Sequence, residues 1–144
     1  MNVKVMYHSS TGNTEKLART IAEALNTTAE AITKDPAPLS GSVDLLFIGD
    51  GVYAGKPNKR TEAFIKQLDP ANVKNVAVFA TYGGQKKIGQ DIQQLLRDRG
   101  FKVLGEPFVC KGQAWFFMNR KHPDETDLSG AAEYAKQIAA QVNA

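Results

Sequence analysis

Residues 7–17 read YHSSTGNTEKL, and Ser9, Ser10, Thr11 and Thr14 crowd four hydroxyls around one glycine, Gly12, with no lysine or arginine among them. An apolar stretch precedes this cluster, and a helical apolar pattern follows it. A helix start leaves several backbone N–H groups unpaired and carries partial positive charge. It therefore binds a phosphate without a cationic side chain. The hydroxyls add donors, and Gly12 lets the backbone bend around the anion. Each bond to a charged oxygen is worth about 1.5–3 kcal/mol, so four or five hold a phosphate monoester firmly. The plainer alternative is that Thr11 or Asn13 caps the helix, but one cap needs one such residue and leaves the other hydroxyls unexplained. The segment lacks the lysine of a Walker A loop and the glycine spacing of a dinucleotide fingerprint. The candidate ligand residues here are Ser9, Ser10, Thr11, Gly12, Asn13 and Thr14.

Two hydrophobic periods alternate along the chain and must position this loop. Val3, Val5 and Tyr7 start a strand that Met6 thickens with a second apolar face. Leu17, Ala18, Ile21, Ala22 and Leu25 recur at helical spacing. A second strand is expected over 29–33, then a proline-rich connection. VDLLFIG reads as a buried strand, followed by a helix marked by Thr61, Phe64, Ile65 and Leu68. VAVFATYGG is another buried strand ending in glycines. Ile88, Ile92, Leu95 and Leu96 give a helix closed by Gly100. KVLGEPFVC is a fifth strand, in which Pro107 predicts a bulge or an edge position. The chain ends in a helix over Leu128, Ala131, Ala135, Ile138 and Val142, with Asp124 as N-cap and Asp127 three residues on.

Strands alternating with helices predict an α/β fold: a three-layer, doubly wound, five-stranded parallel sheet in the order 2-1-3-4-5. Runs such as LLFIG and VAVFA suit strands buried on both faces. That order opens a ligand crevice at the carboxyl ends of strands one and three. The loops there are expected at 7–14, 50–57 and 81–85.

The 144 residues suit a single domain spanning 1–144. Lys plus Arg is 18 against Asp plus Glu 15, a net charge of +3 too mild to argue for nucleic acid. No apolar run reaches the length of a membrane span, and the N-terminus carries no secretory pattern. One cysteine, Cys110, forbids an internal disulfide and fits a reducing compartment, so a cytoplasmic location is expected. Cys110 reads as a small apolar strand residue, and His8 as a packed strand-end residue that could also couple anion binding to pH. His8 and His122 lie too far apart to suggest a metal site. The aromatic run 114–118 reads as core or edge cover.

SSTGNT, between a strand and a helix, resembles the phosphate loop of the flavodoxin family. FATYGG at 79–84 and the tail HPDETDLSGAAEYAKQI are similar to short-chain flavodoxin-like proteins, and the resemblance covers nearly the whole chain. It implies bound flavin mononucleotide (FMN) and electron transfer. It also implies that Gly51, Val52, Tyr53, Ala54 and Gly55 from one loop, with Thr81, Tyr82, Gly83 and Gly84 from another, line the flavin. Tyr82 or Tyr53 would stack on the ring. A glycine, Gly55 first and Gly51 second, would turn a carbonyl towards flavin N5 to stabilise the neutral one-electron form. The resemblance implies no catalytic residue and no metal ligand.

The charge departs from the acidic pattern of the family. Lys56, Lys86 and Lys87 lie in or beside the expected flavin loops. One charge roughly 8 Å from a flavin anion contributes about 2 kcal/mol at an effective dielectric near 20, or about 90 mV, before screening. With Lys59 and Arg60, they make a rim that would prefer an acidic patch or an anionic substrate; the redox protein partners that the resemblance implies, a reductase and an electron acceptor, would then carry acidic docking surfaces. The leading expectation is a monomeric FMN electron carrier passing single electrons between proteins. The alternative is an FMN-dependent oxidoreductase acting on a quinone, porphyrinogen or other small molecule. A signalling receiver of the same topology would need acidic residues at the end of strand one, and YHSST has none.

Overall fold

A computed structural model of the chain describes residues 1–35, 39, 41–52, 57–82, 87–111 and 123–143. Among these, five parallel strands form one sheet: β1 (Val3–Tyr7), β2 (Ala29–Ala31), β3 (Leu45–Val52), β4 (Val76–Tyr82) and β5 (Phe108–Lys111). Their order is β2-β1-β3-β4-β5, as the alternation of periods predicts. The helices are α1 (Asn13–Ala24), α2 (Lys59–Gln67), α3 (Ile88–Asp98) and α4 (Glu125–Asn143).

Side chains alternate across a strand, so the continuous apolar runs feed two cores at once. Val5, Tyr7, Leu45, Phe47, Ala77 and Phe79 face α1 and α4. Met6, Leu46, Ile48, Val76, Val78 and Ala80 face α2 and α3. A right-handed crossover explains the division: the chain moves one way from β1 to β2 and the other way from β1 to β3, β4 and β5, which puts the connecting helices on opposite faces. No helix among the described residues is long and apolar enough to cross a membrane.

The helix ends follow their sequence signals. Gly100 sits at φ +88°, and the N–H groups of Gly100 and Phe101 return to Arg97 O at 3.0 Å and Leu96 O at 3.1 Å, a Schellman closure of α3. At the start of α4, Asp124 N–H donates to Asp127 Oδ2 and Asp127 N–H to Asp124 Oδ1, both at 2.9 Å, a reciprocal cap.

Three boundaries differ from expectation. β2 ends at Ala31, because an edge strand finds register only opposite Val5, Met6 and Tyr7. β3 runs on through Asp50, Gly51 and Val52, since β4 pairs with it as far as Tyr82; residues expected in a loop are therefore strand. The fifth strand is split. Val103 bridges Val76, pairing stops, and it resumes at Phe108 opposite Phe79. Gly105, at φ +64°, and Pro107 make the interruption that the proline predicts. Gln93 Nε2 of α3 donates to Gly105 O at 3.0 Å. On β4 the gap would strand the carbonyl of Val78, and the Tyr134 hydroxyl from α4 donates to it at 3.0 Å. Tyr134 also meets Phe47 edge-on, with ring centroids 6.0 Å apart.

Tyr134→Phe keeps the ring packing and leaves that carbonyl without a donor. We expect a loss of about 1–3 kcal/mol in urea unfolding, with little change in the m-value.

Candidate functional site

The strand order reverses between β1 and β3, so their connections leave in opposite directions and open a crevice at the carboxyl edge of the sheet. The hydroxyl cluster sits there. His8 N–H donates to Gly49 O at 3.0 Å and carries the β1–β3 pairing one residue further. The chain then turns into α1 at Gly12, which is the N-cap with φ +89° and ψ −5°. The N-cap is a glycine, so the cap position itself brings no side chain to the helix start. A Cβ at Gly12 would meet nothing within 4 Å; the glycine is needed for its conformation, not for space.

The hydroxyls divide into two groups. Ser10 and Thr11 are exposed. Ser9 Oγ accepts the Gly12 N–H at 3.0 Å, which closes the turn and leaves the serine its own hydrogen to donate. Asn13 Nδ2 donates to Thr11 Oγ1 at 2.9 Å. Thr14 faces inward: it is buried, and its Oγ1 lies 2.8 Å from Thr81 Oγ1 on β4. Gly51 on β3 passes directly over this pair. A Cβ there would overlap the Thr14 hydroxyl and come within 2.7 Å of Thr81 Oγ1. Glu15, the one acid in the first turn of α1, is drawn aside by the Tyr7 hydroxyl at 3.2 Å and Arg19 at 3.0 Å.

Beside this triad lies a buried acid that sequence reasoning did not single out. Asp50 Oδ1 accepts the Gly51 N–H at 2.8 Å and faces His8 Nδ1 at 3.1 Å. Its Oδ2 accepts the Asn58 N–H at 2.7 Å. Asn58 in turn caps α2, its Oδ1 accepting Arg60 N–H at 2.9 Å. The Thr61 hydroxyl is buried near the carboxylate, close enough to favour its charge but short of hydrogen-bond geometry. Burial dominates and raises the Asp50 pKa, with Asn58, His8 and Thr61 opposing it. The signal in the sequence was an acid closing a fully apolar strand, a place where charge needs partners. Cys110 is buried, its thiol pushed up to about 12 by burial and then by Asp127 and Asp124, which fits a packed, unreactive residue.

Of the remaining sequence-predicted residues, Thr81 is buried in the pair with Thr14. Tyr82 is half-buried and packs against the α2 and α3 side of the core. Gly51 is extended strand, so it does not supply the positive-φ turn expected of it as the second candidate; the glycine there is required by close approach. Val52 is the last residue of β3. Tyr53, Ala54, Gly55, Gly83, Gly84, Lys56, Lys86, His122 and the 114–118 run lie outside the described residues. Lys59, Arg60 and Lys87 are exposed at the starts of α2 and α3, on the same edge of the sheet as the hydroxyl loop. Lys87 is paired with Asp91 at 3.5 Å.

A family model described as a flavodoxin domain matches residues 4–116. The chain belongs to the flavodoxin family. An uncharacterized protein of Methanocaldococcus jannaschii is 34% identical over 136 residues, spanning 88% of this chain and 89% of its own. A flavodoxin of Clostridium beijerinckii is 27% identical over 150 residues, spanning 95% and 99%. Oxidised Flavodoxin 2 from Bacillus cereus has the same fold, with a TM-score of 0.75 at 19% identity over 98% of this chain and 99% of that one.

Flavodoxin-family proteins bind flavin as FMN, and the donor set here suits the phosphate of that group. The start of α1 at the left-handed Gly12 and the exposed Ser10 hydroxyl supply N–H and O–H donors, and no carboxylate stands among residues 9–14.

Gly51→Ala forces the added methyl into the Thr14–Thr81 pair. We expect a loss of about 1–3 kcal/mol in stability by denaturant unfolding, as for other overpacked sites. Asp50 gives a pH signature. Its native pKa is raised, so the folded state holds more protons than the unfolded one from the unfolded value up to the native value. Its contribution to stability is therefore fully present below the unfolded pKa and falls as pH rises through that window. Comparing wild type with Asp50→Asn in urea titrations at stepped pH should show the difference shifting against wild type as pH rises.

Proposed function

We propose that this flavodoxin-family chain is an FMN-binding electron carrier, working in the cytoplasm as a monomer between redox protein partners. The observation that carries the reading is the Gly12 turn: a left-handed, side-chain-free N-cap at the sheet's topological switch point, flanked by Ser9, Ser10 and Thr11. In this reading the amides opening α1 and the Ser10 and Thr11 hydroxyls hold the phosphate. Thr14 holds the start of α1 to β4, and residues 51–55 and 81–84 line the ring. FMN, when bound, supplies reversible electron uptake, and the protein sets its place and exposure.

Charge supports the choice of partner. Lys59 and Arg60 open α2 and are exposed beside the crevice edge, a surface that steers acidic docking faces better than basic ones.

The test is preference for FMN over riboflavin, which shares the ring and lacks the phosphate. We expect a yellow complex with FMN, bound at least about a hundredfold tighter than riboflavin. Ser10→Ala and Thr11→Ala should each loosen FMN about tenfold or more and leave riboflavin unchanged. Equal affinities for the two flavins, or a protein that stays colourless with FMN, would overturn the reading. Steady turnover of a quinone with a chemical reductant would replace the carrier by the enzyme alternative.

A further inference from the structure

Three chain segments meet on the single carboxylate of Asp50. From the end of β1 comes His8, its Nδ1 at 3.1 Å from Oδ1. From the end of β3 comes the Gly51 amide at 2.8 Å, also on Oδ1. From the start of α2 come the Asn58 amide, 2.7 Å from Oδ2, and the buried Thr61 hydroxyl. Asp50 is 0% exposed. Burying a carboxylate is costly unless its lone pairs are matched, and here amides and an imidazole match them.

What hangs on these contacts is the crevice itself. His8 is the residue before the Ser9–Thr14 loop. Gly51 is the strand residue over which Thr14 and Thr81 meet. Asn58 is the cap of α2. One side chain thus sets the register between the root of the phosphate loop and the two ends of the β3–α2 connection. A neutral side chain could not do the same. Asparagine at position 50 would still accept one amide, but it would turn an NH2 group towards the other.

We propose that Asp50, through its contact with His8, is a positioning residue for the phosphate of the flavin nucleotide, and that the proton on His8 sets how much negative charge the crevice presents to it. The inference rests on the FMN reading above. With His8 protonated, the pair is neutral. With His8 deprotonated, an ionised Asp50 keeps its amide donors but loses its cationic partner, and its charge opposes a nearby phosphate. His8 is the charged partner that the described residues set against Asp50; its other neighbours, the Gly51 and Asn58 amides and the Thr61 hydroxyl, are neutral.

Two measurements test this. The first is the ratio of FMN to riboflavin affinity, read by fluorescence quenching from about pH 5 to pH 8, where imidazoles titrate. In wild type the preference for FMN should fall roughly tenfold more on raising the pH than in His8→Gln, which keeps a donor towards Asp50 without titrating. The phosphate's own ionisation is common to both proteins and cancels in the comparison. The second is amide exchange at Gly51 and Asn58 in the cofactor-free protein. Asp50→Asn should speed exchange at Asn58 and, having no carboxylate for His8 to pair with, show the pH profile of FMN preference seen in His8→Gln. Identical pH profiles for wild type and His8→Gln overturn the proposal, as does a folded Asp50→Asn whose Asn58 exchanges at the wild-type rate. Should Asp50→Asn fail to fold, the His8→Gln comparison decides. Should wild type bind no FMN, the function reading fails and the phosphate half of the proposal with it. The exchange rates then still report whether Asp50 holds the crevice together.

Discussion

Thr14 and Thr81 bring two hydroxyls 2.8 Å apart in a place water does not reach, and they do so over a backbone without a side chain at Gly51. Each hydroxyl is the other's partner, and removing either leaves the survivor buried without one. The contact ties α1 to β4 across the end of β3. It fixes where α1 starts relative to the sheet and therefore where the Ser9–Gly12 turn is presented. A loop that binds by amide direction depends on such a seat, because its donors are useful only if they point at one spot. The inward Thr14 and the outward Ser10 and Thr11 are two parts of one arrangement: one hydroxyl anchors the helix, and the others stay exposed at its mouth.

The sheet supplies the rigid base. β3 and β4 are buried on both faces, so their side chains feed the α1–α4 core and the α2–α3 core at once. Parallel pairing of this kind needs helices on both sides, which is why the apolar runs are continuous rather than alternating. The edges are handled separately. β2 is three residues long, and β5 is interrupted at Gly105–Pro107. Short or bulged edges resist pairing with other chains. The interruption would strand a carbonyl on β4, and Tyr134 answers it from a different helix. Structural polar groups are thus satisfied inside the sheet, while the donors left outward gather at its carboxyl edge.

Much of this was legible in the sequence because it is written in local periods. The apolar runs gave the strands, the helical stripes gave their partners, and Gly100 and the Asp124–Asp127 pair marked helix ends by chemistry that acts within a few residues. The hydroxyls around Gly12 also act locally, and the expected loop lies at a helix mouth. What was not legible depends on distant partners. Asp50 looked like the start of a loop. Its burial is decided by His8, 42 positions away, and by Asn58, eight positions on. No period encodes that. Gly51 is only the second candidate for a positive-φ turn, after Gly55, and in the structure its glycine answers a neighbour pressed too close for a Cβ. The end of β3 was misplaced for the same reason: β4 sets it, since pairing continues as far as Val52 opposite Tyr82.

Charge in this protein acts at two depths, and the depths separate its roles. Lys59 and Arg60 are exposed, and Lys87 is exposed and paired with Asp91. Water and salt screen such charges over about 8–10 Å, so they influence an approaching protein surface more than a bound ring. Asp50 is fully buried, where the effective dielectric is lower and a single charge reaches its neighbours with less loss. A basic exterior and an acidic interior therefore do not cancel. The exposed cations act on their surroundings through screening water, and the buried carboxylate acts on the groups packed around it. A net charge of +3 describes neither effect, because it adds charges that act through different media. The residue that joins the two regimes is His8: its side chain is 11% exposed, and it touches the buried Asp50 carboxylate.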